Sequence, residues 1–318
     1  MNEFELIRTY FARQPVARRD VALGIGDDAA ILQPAPGQQL VVTTDLLVAG
    51  VHFLPDVDPA SLGHKALAVN LSDLAAMGAE PAWFLLNIAL PSVDEKWLAG
   101  FCAGLFALAH QYNVQLVGGD TSRGPLTIAI EAHGFVPAGQ ALTRAGARSG
   151  DRIFVTGTLG DAGLALRHRQ GRLQLAAVEL PACVKRLDRP MPRIEEGLLL
   201  RAIAASAIDI SDGLVADLGH ILEQSRAGAR IDLGRLPVSA AYRAHLHDAG
   251  WDLALANGDD YELCFTVPPE KLAALEQIKS RFPGITEIGI IESEPGLRIF
   301  DVAGKPYVPK ITGHDHFR

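Results

Sequence analysis

Apolar positions along this chain follow two rhythms, one near 3.6 residues and one near two, and the alternation between them predicts the elements. Residues 4–14 carry the helical rhythm and should stop before Pro15, since a residue ahead of proline avoids the helical region. Leu40–Thr44 is rich in β-branched residues and predicts a buried strand. Asp58-Pro59 opens a predicted helix to about Met77, with Leu62, Ala66, Leu67 and Leu74 as its apolar positions and Gly78 as its C-terminal cap. Ser92-Val93-Asp94-Glu95 matches a capping box, and Trp97, Phe101, Leu105 and Leu108 continue as one stripe. Val114–Val117 and Leu126–Val136 read as strands on either side of a Gly-Gly-Asp turn.

From Pro137 to Asp151 the chain turns polar and glycine-bearing, which marks a domain boundary. The division expected is 1–142 and 143–318. The second part predicts a strand Arg152–Thr156, a helix from about Asp161, a helix Ile194–Ala205 and a strand Ala207–Ile210. A helix Leu214–Ser225, a strand Tyr261–Val267, a helix Pro269–Phe282 and a strand Glu287–Ile291 follow. Strands and helices alternate in both parts, so the fold class is α/β, with an α+β mixture.

Composition narrows the chemistry. Of 318 residues, 48% are hydrophobic and 21% charged, enough for a packed core. The formal net charge of −8 disfavours nucleic acid or an anionic membrane as partner. Cys102, Cys183 and Cys264 sit among apolar neighbours without C-x-x-C spacing, which reads as buried free thiols. The N-terminus has no signal-peptide pattern and no apolar run approaches a membrane span, so a cytoplasmic location is expected.

Five short segments bring aspartate to turns or element ends: Gly24-Ile25-Gly26-Asp27-Asp28, Thr43-Thr44-Asp45, Asn70-Leu71-Ser72-Asp73, Gly118-Gly119-Asp120-Thr121 and Asp209-Ile210-Ser211-Asp212-Gly213. Gathered carboxylates repel and lose hydration, and hard divalent cations relieve both penalties. The set therefore points to Mg²⁺ and phosphates. Taken singly, each segment has an ordinary reading. Asp27 and Asp28 suit a hairpin turn, Gly119-Asp120 a tight turn, and Ser211 or Asp212 a helix N-cap. His52 could be structural, a general base, a ligand or a substrate contact. Asp73 is harder to dismiss, because it falls inside a helical pattern between Val69 and Met77. Gly24, Gly26 and Ala29 also fit a dinucleotide fingerprint, but the proline-bearing stretch 33–38 follows too soon for the helix it needs. No G-x-x-x-x-G-K-[ST] loop is present, so phosphates must be met by metal and glycine turns.

The stretches LGIGDDAA, TTDLLVAGVHF, KALAVNLSDLAAMGA, GGDTSRGPL, ALTRAGA, IDISDGL and GDDYELCFT, in this order, resemble the thiamine-monophosphate kinase family. That family lies within the aminoimidazole-ribonucleotide-synthetase-like group. The resemblance implies a two-domain fold of that type and a homodimer paired through N-terminal-domain sheets. Residues 1–142 would bind ATP and Mg²⁺ and dimerise, and 143–318 would complete the active-site cleft. It implies phosphoryl transfer from ATP to thiamine monophosphate, with several Mg²⁺ ions on Asp28, Thr43, Thr44, Asp45, Asp73, Asp120, Asp209 and Asp212. Gly119, Asp120, Arg144 and Ser211 would contact ATP, and Asp45, Asp73, Asp120, Asp212 and Arg144 would carry the catalysis. Substrate contacts would fall to His52, Asp259 and His314. Asp259 stands where the family has glutamate, and His314 where it has an aromatic residue that stacks on substrate. Among the group's other members, selenophosphate-forming enzymes use an early cysteine, and the first here is Cys102. Aminoimidazole ribonucleotide synthetase is the nearest alternative. A nucleotide- or Ca²⁺-binding module without turnover is an alternative of a different class.

Overall fold

The computed structural model of the chain describes residues 2–311 and 313. It divides into two compact units, Met1–Leu74 with Ala79–Gly139, and Ala75–Gly78 with Gln140–Arg318.

The first unit opens with a short helix, α1 (Glu3–Leu6), closed by a reciprocal cap between Asn2 and Glu5. The chain then widens into a π-helical turn over Ile7–Phe11, in which the Ala12 N–H reaches the Ile7 carbonyl at 2.8 Å. The helix expected to run to residue 14 therefore ends earlier. Strands β1 (Val21–Leu23) and β2 (Ile31–Leu32) form an antiparallel hairpin whose loop holds Gly24–Ala30. No helix follows it, which removes the dinucleotide reading.

The main sheet of this unit has the order β3-β6-β4-β5, with β3 Gln38–Val48, β4 Glu80–Leu90, β5 Gln115–Arg123 and β6 Thr127–Pro137. Helix α2 (Pro59–Ala76) joins β3 to β4, and α3 (Glu95–Gln111) is the crossover between the parallel pair β4 and β5. Leu74 and Ala75 carbonyls accept from the N–H groups of Ala79 and Gly78, and Gly78 takes φ 62°, as its expected capping role requires. The α3 cap is Asp94 rather than Ser92: its Oδ1 accepts from Lys96 and Trp97 at 2.9 and 3.0 Å.

Two glycines set how closely α2 and α3 pack. A Cβ on Gly104 would fall 1.7 Å from the Ala60 carbonyl oxygen, and one on Gly63 would fall 2.0 Å from that of Phe101. The hairpin packs Val21, Ala30 and Leu32 on Trp83 and Phe135, and Trp83 Nε1 donates to Asp20 at 3.0 Å.

The second unit is built on a seven-stranded sheet of order β13-β12-β9-β11-β7-β10-β8. Its strands are β7 Arg152–Val155, β8 Ser206–Asp209, β9 Gly228–Asp232, β10 Leu263–Val267, β11 Thr286–Glu292, β12 Gly296–Phe300 and β13 Pro306–Tyr307. Only the β9–β12 pair is parallel among the neighbours described. The helices are α4 Asp161–Arg169, α5 Leu180–Asp188, α6 Ile194–Leu200, α7 Leu214–Ser225, α8 Ala240–Ala249, α9 Asp252–Ala256 and α10 Leu272–Arg281. The core includes Ile153, Val155, Leu164, Leu218, Ile221, Ile231 and Cys264. Helix α6 stops at Leu200, short of the expected Ala205. All three cysteines are free and buried, as read, and burial pushes the Cys102 and Cys183 thiols up to about 12.

Candidate active site

In the first unit the acidic segments stand on a hairpin loop, two strands and one helix. Asp28 is exposed on the hairpin loop, and its N–H donates to the Asp27 carboxylate at 2.8 Å. Asp27 thus folds the turn that presents Asp28. Strand β3 pairs with β6 without a bulge from residue 38 to 48, so alternation puts Thr43 and Asp45 on one face and Thr44 on the other. On the first face the Thr43 hydroxyl donates to the Asp73 carboxylate. That contact joins two of the expected ligands. Thr44 turns its hydroxyl to the Ile130 carbonyl at 3.1 Å, so a metal beside Thr43 and Asp45 would meet Thr44 through its main chain.

Asp73 is half-buried on a helix that is otherwise buried from Ser61 to Ser72. Lys65 and Asn70 are 4% and 1% exposed, so a shared solvent-facing stripe is not its surrounding. At the end of β3, the Val48 N–H donates to His52 Nδ1 at 3.0 Å, which leaves the neutral ring's proton on Nε2.

Gly118-Gly119-Asp120-Thr121 is not a turn. It lies within β5, where the pairing with β4 slips by one residue at Phe84/Leu85. Gly119 takes φ 140°, and a Cβ there would fall 1.8 Å from the Leu86 carbonyl oxygen. Asp120 pairs in register with Asn87 and is exposed. Because β3 and β5 are opposite edges of the sheet, Asp45 and Asp120 are separated by three strand spacings, roughly 14 Å. Among the described residues no three His, Cys, Asp or Glu side chains stand close enough together to hold a metal ion.

In the second unit Asp209 ends β8 and is 4% exposed. The chain turns through Ser211, Asp212 and Gly213 into α7. The N–H groups of these three residues donate to one oxygen, Asp217 Oδ2, at 3.1, 3.1 and 3.0 Å. Burial pushes the Asp217 carboxyl up to about 7; the Asp212 charge adds to this, and the three N–H groups partly offset it.

The loop with Asp259 is stitched to the same turn. Asp259 N–H donates to the Ser211 carbonyl and Tyr261 N–H to that of Ile210, each at 2.8 Å. Asp259 and Tyr261 hold φ of 62° and 49°, a conformation that costs a non-glycine residue energy and so depends on these supports. Beneath them Asp260 accepts from the Gly160 N–H at 2.9 Å, and burial drives its carboxyl well above the usual range. Glu262, fully buried, is bound by Arg186 at 2.7 Å, by Arg193 Nε at 2.6 Å and by the Thr156 hydroxyl at 2.5 Å.

Arg144 is exposed, its carbonyl accepts from Ser225 at 3.2 Å, and no described residue pairs with its guanidinium. His314 lies outside the described residues. Sequence reasoning missed Asp217, Asp260 and Glu262. The signals were present: a carboxylate one turn into a helix that follows a Gly-ended loop, and charges placed directly before the apolar run Leu263–Val267.

Donor chemistry at these positions suits Mg²⁺. The Thr43–Asp73 pair offers hard oxygen, and Asp28, Asp120 and Asp212 have no described cationic side chain against them. Mg²⁺ commonly takes one or two carboxylates and completes its shell with water and substrate phosphate, so a closed protein cage is not required.

The AIR synthase related protein family matches through its N-terminal domain at residues 26–136 and its C-terminal domain at 148–302. Thiamine-monophosphate kinase of Escherichia coli (strain K12) is 52% identical over 319 residues, covering 99% of this chain and 98% of the relative. The crystal structure of thiamine-monophosphate kinase from Stenotrophomonas maltophilia K279a aligns with a TM-score of 0.85 at 48% identity, over 91% of this chain and 93% of that one. AaThiL complexed with AMPPCP and TMP aligns with a TM-score of 0.77 at 33% identity, over 92% of each chain.

Proposed function

We infer the activity from membership: this chain belongs to the thiamine-monophosphate kinase family of AIR synthase related proteins. It transfers the γ-phosphoryl group of ATP to thiamine monophosphate, giving thiamine diphosphate and ADP, the final step of thiamine diphosphate biosynthesis. The observation that carries this reading is similarity along the whole chain, at 52% identity, to the Escherichia coli kinase.

The acceptor explains the absence of an evident base. A phosphate monoester has a second pKa of about 6, so its attacking oxygen is already largely ionised at neutral pH. The obstacle is repulsion between two polyanions. Asp28, Thr43, Asp45, Asp73, Asp120, Asp209 and Asp212, with Thr44 through its main chain, would hold Mg²⁺, which when bound would supply charge neutralisation for in-line transfer. Asp45 and Asp120 stand on opposite edges of one sheet, which favours more than one ion over one compact centre. Arg144 adds a guanidinium that no carboxylate among the described residues occupies, and Gly119, Asp120 and Ser211 meet ATP. His52 presents an Nε2–H to the thiamine moiety. Asp259, held by its strained backbone, reaches substrate from one methylene further back than glutamate would, and His314 stacks on it. Transfer is direct, without a phosphoenzyme.

Residues 1–142 serve as the ATP- and Mg²⁺-binding and dimerisation domain, and 143–318 contribute Arg144, Asp209, Ser211 and Asp212. A homodimer paired through the first unit's sheet is supported by edge strand β3, which leaves Leu40, Val42 and Leu46 46–54% exposed on one face. Among the described residues no helix is long and apolar enough to cross a membrane, in keeping with a cytoplasmic enzyme.

The test is ADP release by purified protein. ADP should appear only when Mg²⁺ and thiamine monophosphate are both present, in equal amount to thiamine diphosphate. Release driven instead by a formylglycinamidine ribotide would overturn the assignment, and a trapped phosphorylated side chain would overturn direct transfer.

A further inference from the structure

Three successive backbone N–H groups aimed at one point form a concave site for an anion. At the turn from β8 to α7 such a site exists, and the chain fills it with its own carboxylate. Asp217, in the first turn of α7 and 2% exposed, receives the N–H groups of Ser211, Asp212 and Gly213 on a single oxygen. These are the only hydrogen bonds of its side chain among the described residues. The Asp212 side chain, by contrast, makes none of its own among them. Its direction is therefore set by its backbone.

That backbone is fixed from two sides. On the strand side, the carbonyls of Ile210 and Ser211 hold the N–H groups of Tyr261 and Asp259, and the Ile210 N–H donates to the Glu262 carbonyl at 2.7 Å. On the helix side the tie is Asp217. We propose that Asp217 is a positioning residue, whose carboxylate clamps the Ser211–Gly213 turn and so aims Asp212 and Ser211 at the metal and nucleotide. The proposal rests on the reading above that Asp212 holds Mg²⁺. The filled site has a second effect. A triphosphate cannot settle on these three amides, so it must be met through metal.

The experiment is Mn²⁺ titration of the full chain by electron paramagnetic resonance, with a non-hydrolysable ATP analogue present, for the parent, Asp217→Asn, Asp217→Ala and Asp212→Asn. Circular dichroism confirms that each variant is folded. Asp217→Asn keeps the shape and an acceptor oxygen but loses the charge, and should weaken Mn²⁺ binding about tenfold, the usual order for a residue behind a ligand. Asp217→Ala should weaken it further. If the alanine variant does not fold, the asparagine variant decides alone. KM for thiamine monophosphate should change less than Mn²⁺ affinity, because Asp259 hangs on the Ser211 carbonyl, on the strand side of the turn, whereas Asp217 holds the N–H side. Parent-like Mn²⁺ affinity in folded Asp217→Asn, beside weakened Asp212→Asn, overturns the clamp while sparing the ligand reading. Parent-like affinity in Asp212→Asn removes the ligand reading and the clamp with it.

Discussion

Single charges in this protein have distinct physical situations, and each predicts a different failure. Asp73 is half-buried and its carboxylate accepts from the Thr43 hydroxyl, so Asp73→Asn preserves shape while deleting the charge. Turnover measured at saturating Mg²⁺ should fall by about 10²-fold or more, with the melting temperature close to that of the parent. Near-normal turnover would remove Asp73 from the ligand set. Glu262 is a buried carboxylate with two arginines. Arg193→Met strips one of them and should destabilise the chain by ~3–5 kcal/mol in urea unfolding, the scale of a buried charge left short of a partner. Asp260 has the opposite problem, since burial raises its carboxyl. A carboxyl raised in the folded state contributes stability below its unfolded value, about 4, and loses it as pH rises through the folded value. Urea midpoints between pH 5 and 8 should thus fall with rising pH more steeply in the parent than in Asp260→Asn. Parallel curves would contradict this.

At the scale of elements, the α2–α3 crossing is the tightest joint. A methyl on Gly104 has no room beside the Ala60 carbonyl, so Gly104→Ala should lower stability by ~1–3 kcal/mol or more, read by thermal unfolding. The elements most legible in the sequence were those with one apolar face and a clear stop. Helix α7 was readable from Leu214 to Ser225 because Gly213 precedes an amphipathic run, and α2 because Pro59 and Gly78 bracket it. Strand β4 was not readable. Nearly all its residues are buried or half-buried, so it has no alternation to betray it, and Pro81 argues against a strand. Gly118-Gly119 read as a turn because paired glycines usually make one, whereas here they let β5 slip past β4. The aspartates proposed as ligands were visible as a set through their repetition. Asp217 was not, since an acidic residue in a helix's first turn already has an ordinary explanation in the helix dipole.

For the whole molecule, the expectation open to test is self-association. The parent should sediment as a dimer at micromolar concentration, and Val42→Glu combined with Leu46→Glu should yield a monomer, because two charges would enter an apolar pairing face. A parent that sediments as a monomer would rule the pairing out. Strand β3 gives that measurement a wider meaning. Its outward face carries the apolar residues, and its inward face carries Thr43 and Asp45 on the same eleven-residue backbone. Self-association and ligand occupancy are then linked variables. Whatever factor a bound ligand adds to the pairing constant, pairing returns to the ligand's affinity. Specific activity should consequently depend on dilution, and nucleotide with metal should shift the dilution at which it declines.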